Sequence, residues 1–127
     1  MKIYGIGTDV VNINRIKKSL KNKKFISRLF NKIEIKKCNK KINKVNCYAK
    51  RFAAKEAFSK AIGTGISSGI NFDEIIVFNI KSGKPGIKLL GNTKKTVNKI
   101  INKKKINIFL SLSDDKPFAI ATVIISI

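Results

Sequence analysis

Apolar and polar positions divide the chain into strand-like and helix-like segments, beginning with a strand over residues 2–11. Gly5 and Gly7 in this strand mark places where another backbone or a ligand comes close. The residues that we expect the strand to bury are Ile3, Ile6, Val10 and Val11. The pattern therefore predicts a core strand at the start of the fold.

Three short helices are predicted next. The first is capped by Asn12 or Asn14 and has its apolar positions three to four residues apart, at Ile13, Ile16 and Leu20. The second covers residues 25–30. The third opens at Asn31, which forms a capping-box pattern with Glu34. Residues 36–46 are rich in lysine and asparagine and are predicted to be a solvated helix end or loop.

A long helix is predicted from Val45 to Ile62, where glycine and proline are absent and alanine is dense. Its small residues form a narrow stripe that lets the helix lie close against a sheet or another helix. At about 100° per residue, several polar residues fall on an arc away from that stripe. We expect this arc, Arg51, Lys55, Glu56 and Ser59, to be a free charged face. Gly63 and Gly65 then end the helix.

The second half of the chain is dominated by hairpins. Strands over 71–80 and 87–90 flank a glycine- and proline-containing turn, and a helix begins at Asn92 or Thr93. Strands over 106–113 and 118–127 follow. This order favours an α+β fold, with an antiparallel sheet of hairpin-connected strands packed against one long central helix and shorter helices. Residues 1–127 are predicted to form a single domain.

Composition narrows the class of protein. A hydrophobic fraction of 43% is that of a folded domain, and no apolar run approaches the roughly 18 residues of a membrane helix. The N-terminus lacks the pattern of a signal peptide. We therefore expect a soluble, cytoplasmic protein. Cys38 and Cys47 are expected to be reduced and partly buried, and the absence of histidine excludes the usual zinc spacings.

The formal net charge of +21 comes almost entirely from lysine. Lysine, isoleucine and asparagine all have A/T-rich codons, so part of this charge reflects a biased genome. The three arginines, Arg15, Arg28 and Arg51, persist against that bias. The remaining field still attracts acidic partners and speeds their association.

Two of the seven carboxylates occupy the most distinctive segments, Asp9 after the first strand and Glu56 in the long helix. Magnesium takes oxygen ligands, often one or two carboxylates completed by water and substrate phosphate. Packing of the helix across the strand would bring this pair together. Two simpler alternatives stay open, because Asp9 can cap a helix and Glu56 can pair with Lys60 on the helix surface.

Four blocks resemble the holo-[acyl-carrier-protein] synthase family of small bacterial 4′-phosphopantetheinyl transferases. They are GIGTDVV at 5–11, RFAAKEAFSKAIGTG at 51–65, the GKP turn at 83–85 and SLSDD at 111–115. The blocks follow the family's order and approximate spacing over nearly the whole chain. The resemblance implies transfer of phosphopantetheine from coenzyme A to a serine of apo acyl carrier protein, releasing adenosine 3′,5′-bisphosphate. It also implies a role in fatty acid biosynthesis and a homotrimer with active sites at subunit interfaces.

The resemblance also assigns residues. Asp9 and Glu56 match the family's magnesium ligands, through which they act in catalysis. Matches to coenzyme-binding positions are Arg51, Ser59 and Lys60, with the Gly63-Thr64-Gly65 turn nearby. Arg15 and Arg28 match basic positions that face the acidic carrier protein, and we expect Lys24 to contribute to that surface. No membrane and no specific nucleic acid is implied.

Asp114 departs from the family, which usually has histidine at this position. An aspartate would repel coenzyme phosphates unless it turns away or pairs with a lysine, so no catalytic role is assigned to it. Glu34 matches an acid common in the family, and both a proton-acceptor role and capping of its own helix are open.

Two competing functions remain. A small basic RNA- or ribosome-binding protein would suit the size and charge, but it would need stacking aromatics or clustered arginines on one exposed face. A transferase homologue that has lost activity is the other, with Asp114 as its visible sign.

Overall fold

The computed structural model describes residues 1–63, 69–103 and 105–127. Strand β1 (Ile3–Asn12) is followed by helices α1 (Ile13–Ser19), α2 (Lys23–Leu29), α3 (Lys32–Asn39) and α4 (Lys44–Ile62). A short 3₁₀ turn (Phe72–Glu74) leads into β2 (Ile75–Asn79) and β3 (Pro85–Leu89). Helix α5 (Gly91–Ile101) and strands β4 (Asn107–Asp115) and β5 (Phe118–Ser126) complete the described elements. The predicted α+β class is confirmed.

The strands form two antiparallel sheets. In the larger sheet β5 lies between β1 and β4, so the first and last strands of the chain pair with each other. The hairpin of β2 and β3 is the smaller sheet. Helix α4 packs on the inner face of the larger sheet, and its alanines share one core with Val11, Ala119, Ala121 and Val123.

The helix boundaries follow local capping. Asn12 and Asn22 each accept a hydrogen bond from a backbone N–H two residues on, and so open α1 and α2. Asn31 and Glu34 form the predicted capping box of α3. Gly63 ends α4 in a left-handed conformation, as predicted. Residues 36–46 are only partly a loop, because α3 continues to Asn39 and α4 begins at Lys44.

Strand β1 approaches α4 unusually closely. A Cβ placed on Gly5 would overlap the carbonyl oxygen of Ala61, and one on Gly7 would overlap that of Ala57. Glycine in the strand and alanine in the helix therefore let the two backbones touch. The predicted small-residue stripe on α4 has this strand as its partner.

The expected orientation of β1 was wrong. Ile3, Ile6 and Val10 are 64%, 63% and 57% exposed, and of the four residues expected to be buried only Val11 is. Alternate side chains of a strand point to opposite faces, so the face that carries Gly5 and Gly7 can be turned toward α4 only if Ile6 and Val10 point away, and Ile3 lies beyond a register irregularity between Ile3 and Gly5. Backbone proximity thus overrides the hydrophobicity of the individual residues.

The supposed free charged face of α4 is largely buried, which corrects a second expectation. Arg51, Lys55 and Ser59 are 5%, 0% and 1% exposed. Lys55 Nζ donates to Glu34 Oε1 at 2.7 Å and to the Phe72 carbonyl oxygen at 2.6 Å. Helix α3 and the segment leading into β2 therefore cover this side of α4, and Glu56 alone of the four remains half-buried at a cavity.

Glu34 joins three elements. Its carboxylate accepts hydrogen bonds from the backbone N–H of Asn31 and of Val77 as well as from Lys55. Burial lowers the pKa of Lys55, and the contact with Glu34 opposes that effect. The capping role predicted for Glu34 is confirmed, and the residue additionally joins α3 to α4 and β2.

Cys38 and Cys47 form a disulfide, so the expectation that both are reduced is also wrong. Their Cα atoms lie 5.4 Å apart, within the span that a disulfide bridges. The turn over residues 40–43 brings the end of α3 beside the start of α4, and this places the two side chains together. Sequence spacing alone did not reveal this proximity.

Because β1 and α4 are in close contact, we expect a single methyl group added to β1 to lower the stability of the fold. Gly7→Ala should destabilise the fold by about 3 kcal/mol, because the new Cβ meets an immobile helix backbone. Gly86→Ala is the matched control, since its Cβ would meet the ring end of half-exposed Phe78, which can rotate away. Urea unfolding followed by circular dichroism measures both. Equal losses would show that the approach of β1 to α4 is not sterically limiting.

A second prediction concerns the buried ion pair between Lys55 and Glu34. Lys55→Met should cost about 3–5 kcal/mol, because it leaves the Glu34 carboxylate buried without its cation. Lys50→Met, on the same helix, removes a partly exposed ion pair with Asp114 and should cost less than about 1 kcal/mol. The same unfolding assay compares the two variants. A Lys55→Met protein as stable as Lys50→Met would contradict a structural role for the pair.

Candidate active site

Asp9 and Glu56 line the same surface cavity, as the metal hypothesis requires. The cavity has a volume of about 410 Å³ and lies where the end of β1 meets the middle of α4. Asn12, Arg15 and Phe52 also contribute to its walls. The close approach of β1 to α4 positions the two carboxylates, because it fixes the register of Asp9 against the helix.

The charge of Asp9 acts on Glu56. Partial burial raises the pKa of Glu56, the charge of Asp9 raises it further, and Lys60 opposes the shift. Lys60 Nζ donates to Asp9 Oδ1 at 3.1 Å and to the Thr8 carbonyl oxygen at 3.0 Å. The lysine that was considered as a helix-surface partner of Glu56 thus pairs with Asp9.

This donor set fits a magnesium ion. The described residues contain no group of three or more His, Cys, Asp or Glu side chains that could enclose a metal. Magnesium does not need such a group, because it commonly takes one or two carboxylates and leaves its other positions to water and substrate phosphate. Two electrostatically coupled carboxylates in an open cavity meet that requirement.

A second cavity, of about 840 Å³, lies beside the first two turns of α4 and is strongly basic. Its charged lining residues are Lys37, Lys40, Lys41, Lys50 and Arg51, and its apolar residues include Ile42 and Ile80. No carboxylate among the described residues lines it. Burial lowers the pKa of Lys37, and the neighbouring charges of Arg51 and Lys41 lower it further. A bound anion would relieve this repulsion.

Arg51 is held at the wall of the basic cavity. Its Nη1 donates to Cys47 Sγ at 3.2 Å and its Nη2 to Asn79 Oδ1 at 3.4 Å, whereas Nε has no partner. Asn79 lies at the end of β2. Lys37, Asn46 and Asn79 were not predicted as part of a coenzyme site, because only the packing of α3, α4 and β2 brings them together.

The other predicted coenzyme residues are more dispersed. Ser59 is buried, and its carbonyl oxygen accepts the backbone N–H of Gly63. Lys60 lies beside Asp9, while Gly63 is exposed at the end of α4. None of the three lines the basic cavity. Thr64 and Gly65 lie outside the described residues.

Asp114 is paired rather than free. Its Oδ2 accepts a hydrogen bond from Asn46 Nδ2 at 3.1 Å, and its Oδ1 lies 3.4 Å from Lys50 Nζ. The aspartate thus meets the condition under which it would not repel a bound phosphate. The same pairing ties the end of β4 to the first turns of α4.

The residues predicted to face a carrier protein are all exposed. Arg15 lies on α1, and Lys24 and Arg28 lie on α2. Arg15 also borders the cavity of Asp9 and Glu56. A cationic surface therefore begins at the rim of the acidic cavity.

Comparison with known proteins identifies the family. The model of the 4′-phosphopantetheinyl transferase superfamily matches residues 5–123. The chain belongs to this superfamily, which confirms the resemblance found in the sequence.

Individual relatives within this superfamily are holo-[acyl-carrier-protein] synthases. The chain is 51% identical to the holo-[acyl-carrier-protein] synthase of Pelagibacter ubique (strain HTCC1062), over 98% of each protein. It is 42% identical to that of Sinorhizobium medicae (strain WSM419), over 97% of this chain and 91% of the relative. The regions that match these relatives include the residues of both cavities, both sheets and the helices between them.

Solved structures of holo-[acyl-carrier-protein] synthases have the same fold as this chain. The synthase of Neisseria meningitidis superposes with a TM-score of 0.88 at 35% identity, covering 98% of this chain and 99% of that one. The Helicobacter pylori synthase, solved in complex with coenzyme A, gives 0.80 at 35% identity, over 95% of this chain and 99% of that one. The fold and its family are thus established together. No helix within the described residues has the length and apolar character needed to cross a membrane.

Proposed function

We propose that the protein transfers 4′-phosphopantetheine from coenzyme A to a serine of apo acyl carrier protein, releasing adenosine 3′,5′-bisphosphate. The observation that carries the proposal is the convergence of Asp9 and Glu56 in one cavity of a chain otherwise dominated by lysine. The holo-[acyl-carrier-protein] synthases among its relatives support the same reaction.

Magnesium would be held by Asp9 and Glu56. When bound, the ion would neutralise charge on the pyrophosphate of coenzyme A and favour loss of the serine proton. Lys60, already within hydrogen-bonding distance of Asp9, places a cation where charge develops during phosphoryl transfer. The chain has no histidine, and transfer of this kind depends mainly on positioning and charge neutralisation, which these three residues provide.

The basic cavity is proposed to bind the nucleotide part of coenzyme A. Lys37, Lys41 and Arg51 present converging positive charge for phosphate groups, and Ile42 and Ile80 offer apolar contact for a base. Arg51 keeps an unpartnered Nε beside that cavity. Further coenzyme contacts are proposed from the resemblance to the family alone, and these are Ser59, Lys60, Gly63, Thr64 and Gly65.

The carrier protein is proposed to dock on α1 and α2. Arg15, Lys24 and Arg28 form an exposed cationic surface there, and Arg15 borders the acidic cavity. An acidic carrier would be steered toward the serine-accepting site by this charge. We place the reaction in the cytoplasm and in fatty acid biosynthesis.

We further propose a homotrimer with active sites at its interfaces. The outer face of the larger sheet carries exposed apolar residues from all three strands, including Ile6 and Val10 of β1, Phe109 of β4 and Phe118 of β5. Contiguous apolar surface of this kind is typical of protein interfaces. Val10 also lines the acidic cavity, so a subunit covering this face would border the reaction site.

Neutral substitutions test the carboxylates. Asp9→Asn and Glu56→Gln should each lower magnesium-dependent modification of apo acyl carrier protein at least about a hundredfold, because each loses an anionic ligand. The readout is the mass of the carrier after incubation with coenzyme A and magnesium.

Asp73→Asn is the matched control for this assay. Asp73 lies on the 3₁₀ turn and lines neither cavity, so its neutralisation should leave activity within about twofold. Full activity of either cavity variant would remove the metal assignment. Absence of any mass gain with the unmodified enzyme would instead favour the inactive-homologue alternative.

The trimer is tested at the exposed sheet face. Ile6→Glu should give monomers, because it places charge in an apolar interface, whereas the unmodified chain should have roughly three times the 14.2 kDa mass of one chain. Light scattering during size-exclusion chromatography measures this mass. Ile100→Glu, at a half-exposed position on α5, is the control and should remain trimeric. A trimeric Ile6→Glu protein would place the interface elsewhere.

A further inference from the structure

The disulfide lies in the wall of the basic cavity. Cys47 is one of the cavity's lining residues, while Cys38 is fully buried behind it. Cys47 Sγ also accepts the hydrogen bond from Arg51 Nη1. The bond therefore contacts the arginine that we assign to the coenzyme, although neither cysteine takes part in the proposed chemistry.

The cavity's positive charges belong to separate elements. Lys37 lies on α3, Lys40 and Lys41 follow it in the turn, and Lys50 and Arg51 lie on α4. Because like charges repel, the two helices resist being held together at this point. Burial lowers the pKa of Lys37, and the charges of Arg51 and Lys41 lower it further.

Contacts across the turn between α3 and α4 oppose this repulsion. The hydroxyl of Tyr48 donates to Asn39 Oδ1 at 2.8 Å across the same turn. The covalent link between Cys38 and Cys47 is the stronger constraint, since it closes the short segment between the helices. Glu34 and Lys55 join α3 to α4 farther along, so the helices stay packed if the disulfide opens.

We propose that the Cys38–Cys47 disulfide is a redox-sensitive tether that sets the affinity of the basic cavity for the anionic coenzyme. In the oxidised protein the turn over residues 40–43 is fixed and its lysines converge with Arg51. In the reduced protein the turn relaxes away from α4 and the charges spread. The inference rests on the proposed assignment of this cavity to coenzyme A.

A dithiol reductant carries out the opening step. One of its thiolates attacks Cys47 Sγ, the sulfur that faces the cavity, and the S–S bond breaks to release the thiolate of Cys38, which takes up a proton. The second thiol of the reductant then displaces Cys47 as a thiol. Two cysteines are reduced and one dithiol becomes a disulfide, so electrons balance. In the cytoplasm, where we place this protein, disulfides are rare and are usually transient bonds with a catalytic or redox-sensing role.

We expect reduction of the disulfide to change the affinity for the nucleotide and to have little effect on the rate of the chemical step. Reduction should weaken binding of the nucleotide about three- to tenfold and raise the KM for coenzyme A by a similar factor. The kcat should stay within about twofold, because Asp9 and Glu56 lie in the other cavity. A loss of kcat at unchanged KM would overturn the proposal.

The direct test is calorimetric titration with adenosine 3′,5′-bisphosphate, before and after treatment with dithiothreitol. This probe lacks the thiol of coenzyme A, which could itself open the disulfide. Mass spectrometry after alkylation counts the free thiols in each sample. Weaker binding by the sample with two free thiols supports the tether, and equal affinity of the two forms overturns it. Two free thiols in the protein before treatment, even after mild oxidation, would overturn it as well.

A double substitution, Cys38→Ala with Cys47→Ala, is the matched control. It should bind the nucleotide as weakly as the reduced protein and should not respond to dithiothreitol, with its fold checked by circular dichroism. A response in this variant would show that the reductant acts elsewhere.

The binding experiment is independent of catalysis. If the nucleotide binds in a redox-dependent manner but the carrier is never modified, the proposed transferase reaction fails and the tether stands. If the carrier is modified and binding is redox-independent, the tether fails alone.

Discussion

The contact between the backbones of β1 and α4 is the constraint on which the rest of the structure depends. Gly5 and Gly7 leave no room for a side chain against the carbonyls of Ala61 and Ala57. Asp9 lies on β1 and Glu56 on α4, and the backbones of these two elements are in contact. The contact therefore places both side chains at one cavity. It also turns the large apolar side chains of β1 outward. The proposed metal site and the proposed subunit interface thus both follow from this steric constraint.

The opposite side of α4 is fixed by charge instead of by size. The Glu34 carboxylate collects Lys55 and two backbone N–H groups from different elements, so α3 and β2 are oriented relative to the same helix. A buried pair of this kind contributes little to net stability, since each ion loses its hydration on burial. Here the arrangement brings Lys37 and Asn79 to Arg51, and with them the basic cavity.

Local patterns were sufficient to predict much of the fold from sequence. The capping box at Asn31, the end of α4 at Gly63 and the position of the final hairpin all follow from residues close together in the chain. The pairing of Asp9 with Glu56 needed the resemblance to a family, because spacing alone favoured the simpler alternatives of helix capping and a surface ion pair. Their shared cavity agrees with that resemblance, although their roles remain proposals.

The errors arise where distant segments meet. Ile6 was expected to be buried because it is apolar, yet the inner face of β1 is decided by the helix behind it. Lys55 was assigned to a free face because helical geometry says nothing about what covers a face. The disulfide was missed for the same reason, since nine intervening positions do not reveal that α3 folds back on α4. Each error involves a tertiary contact with no local signal.

The separation of charge within the molecule explains how a strongly basic chain can contain the proposed metal site. Lysines near two carboxylates compete with a cation for them, and Lys60 does so at Asp9. On the far side of α4, Asn79 and Glu34 engage Arg51 and Lys55. The raised pKa of Glu56 reflects partial burial and the charge of Asp9, with Lys60 opposing. Glu56 is thus a carboxylate whose charge a divalent ion would stabilise. Helix α4 therefore lies between an acidic cavity and a basic one, and coenzyme A, which carries a pyrophosphate and one further phosphate, is the ligand that we propose for both.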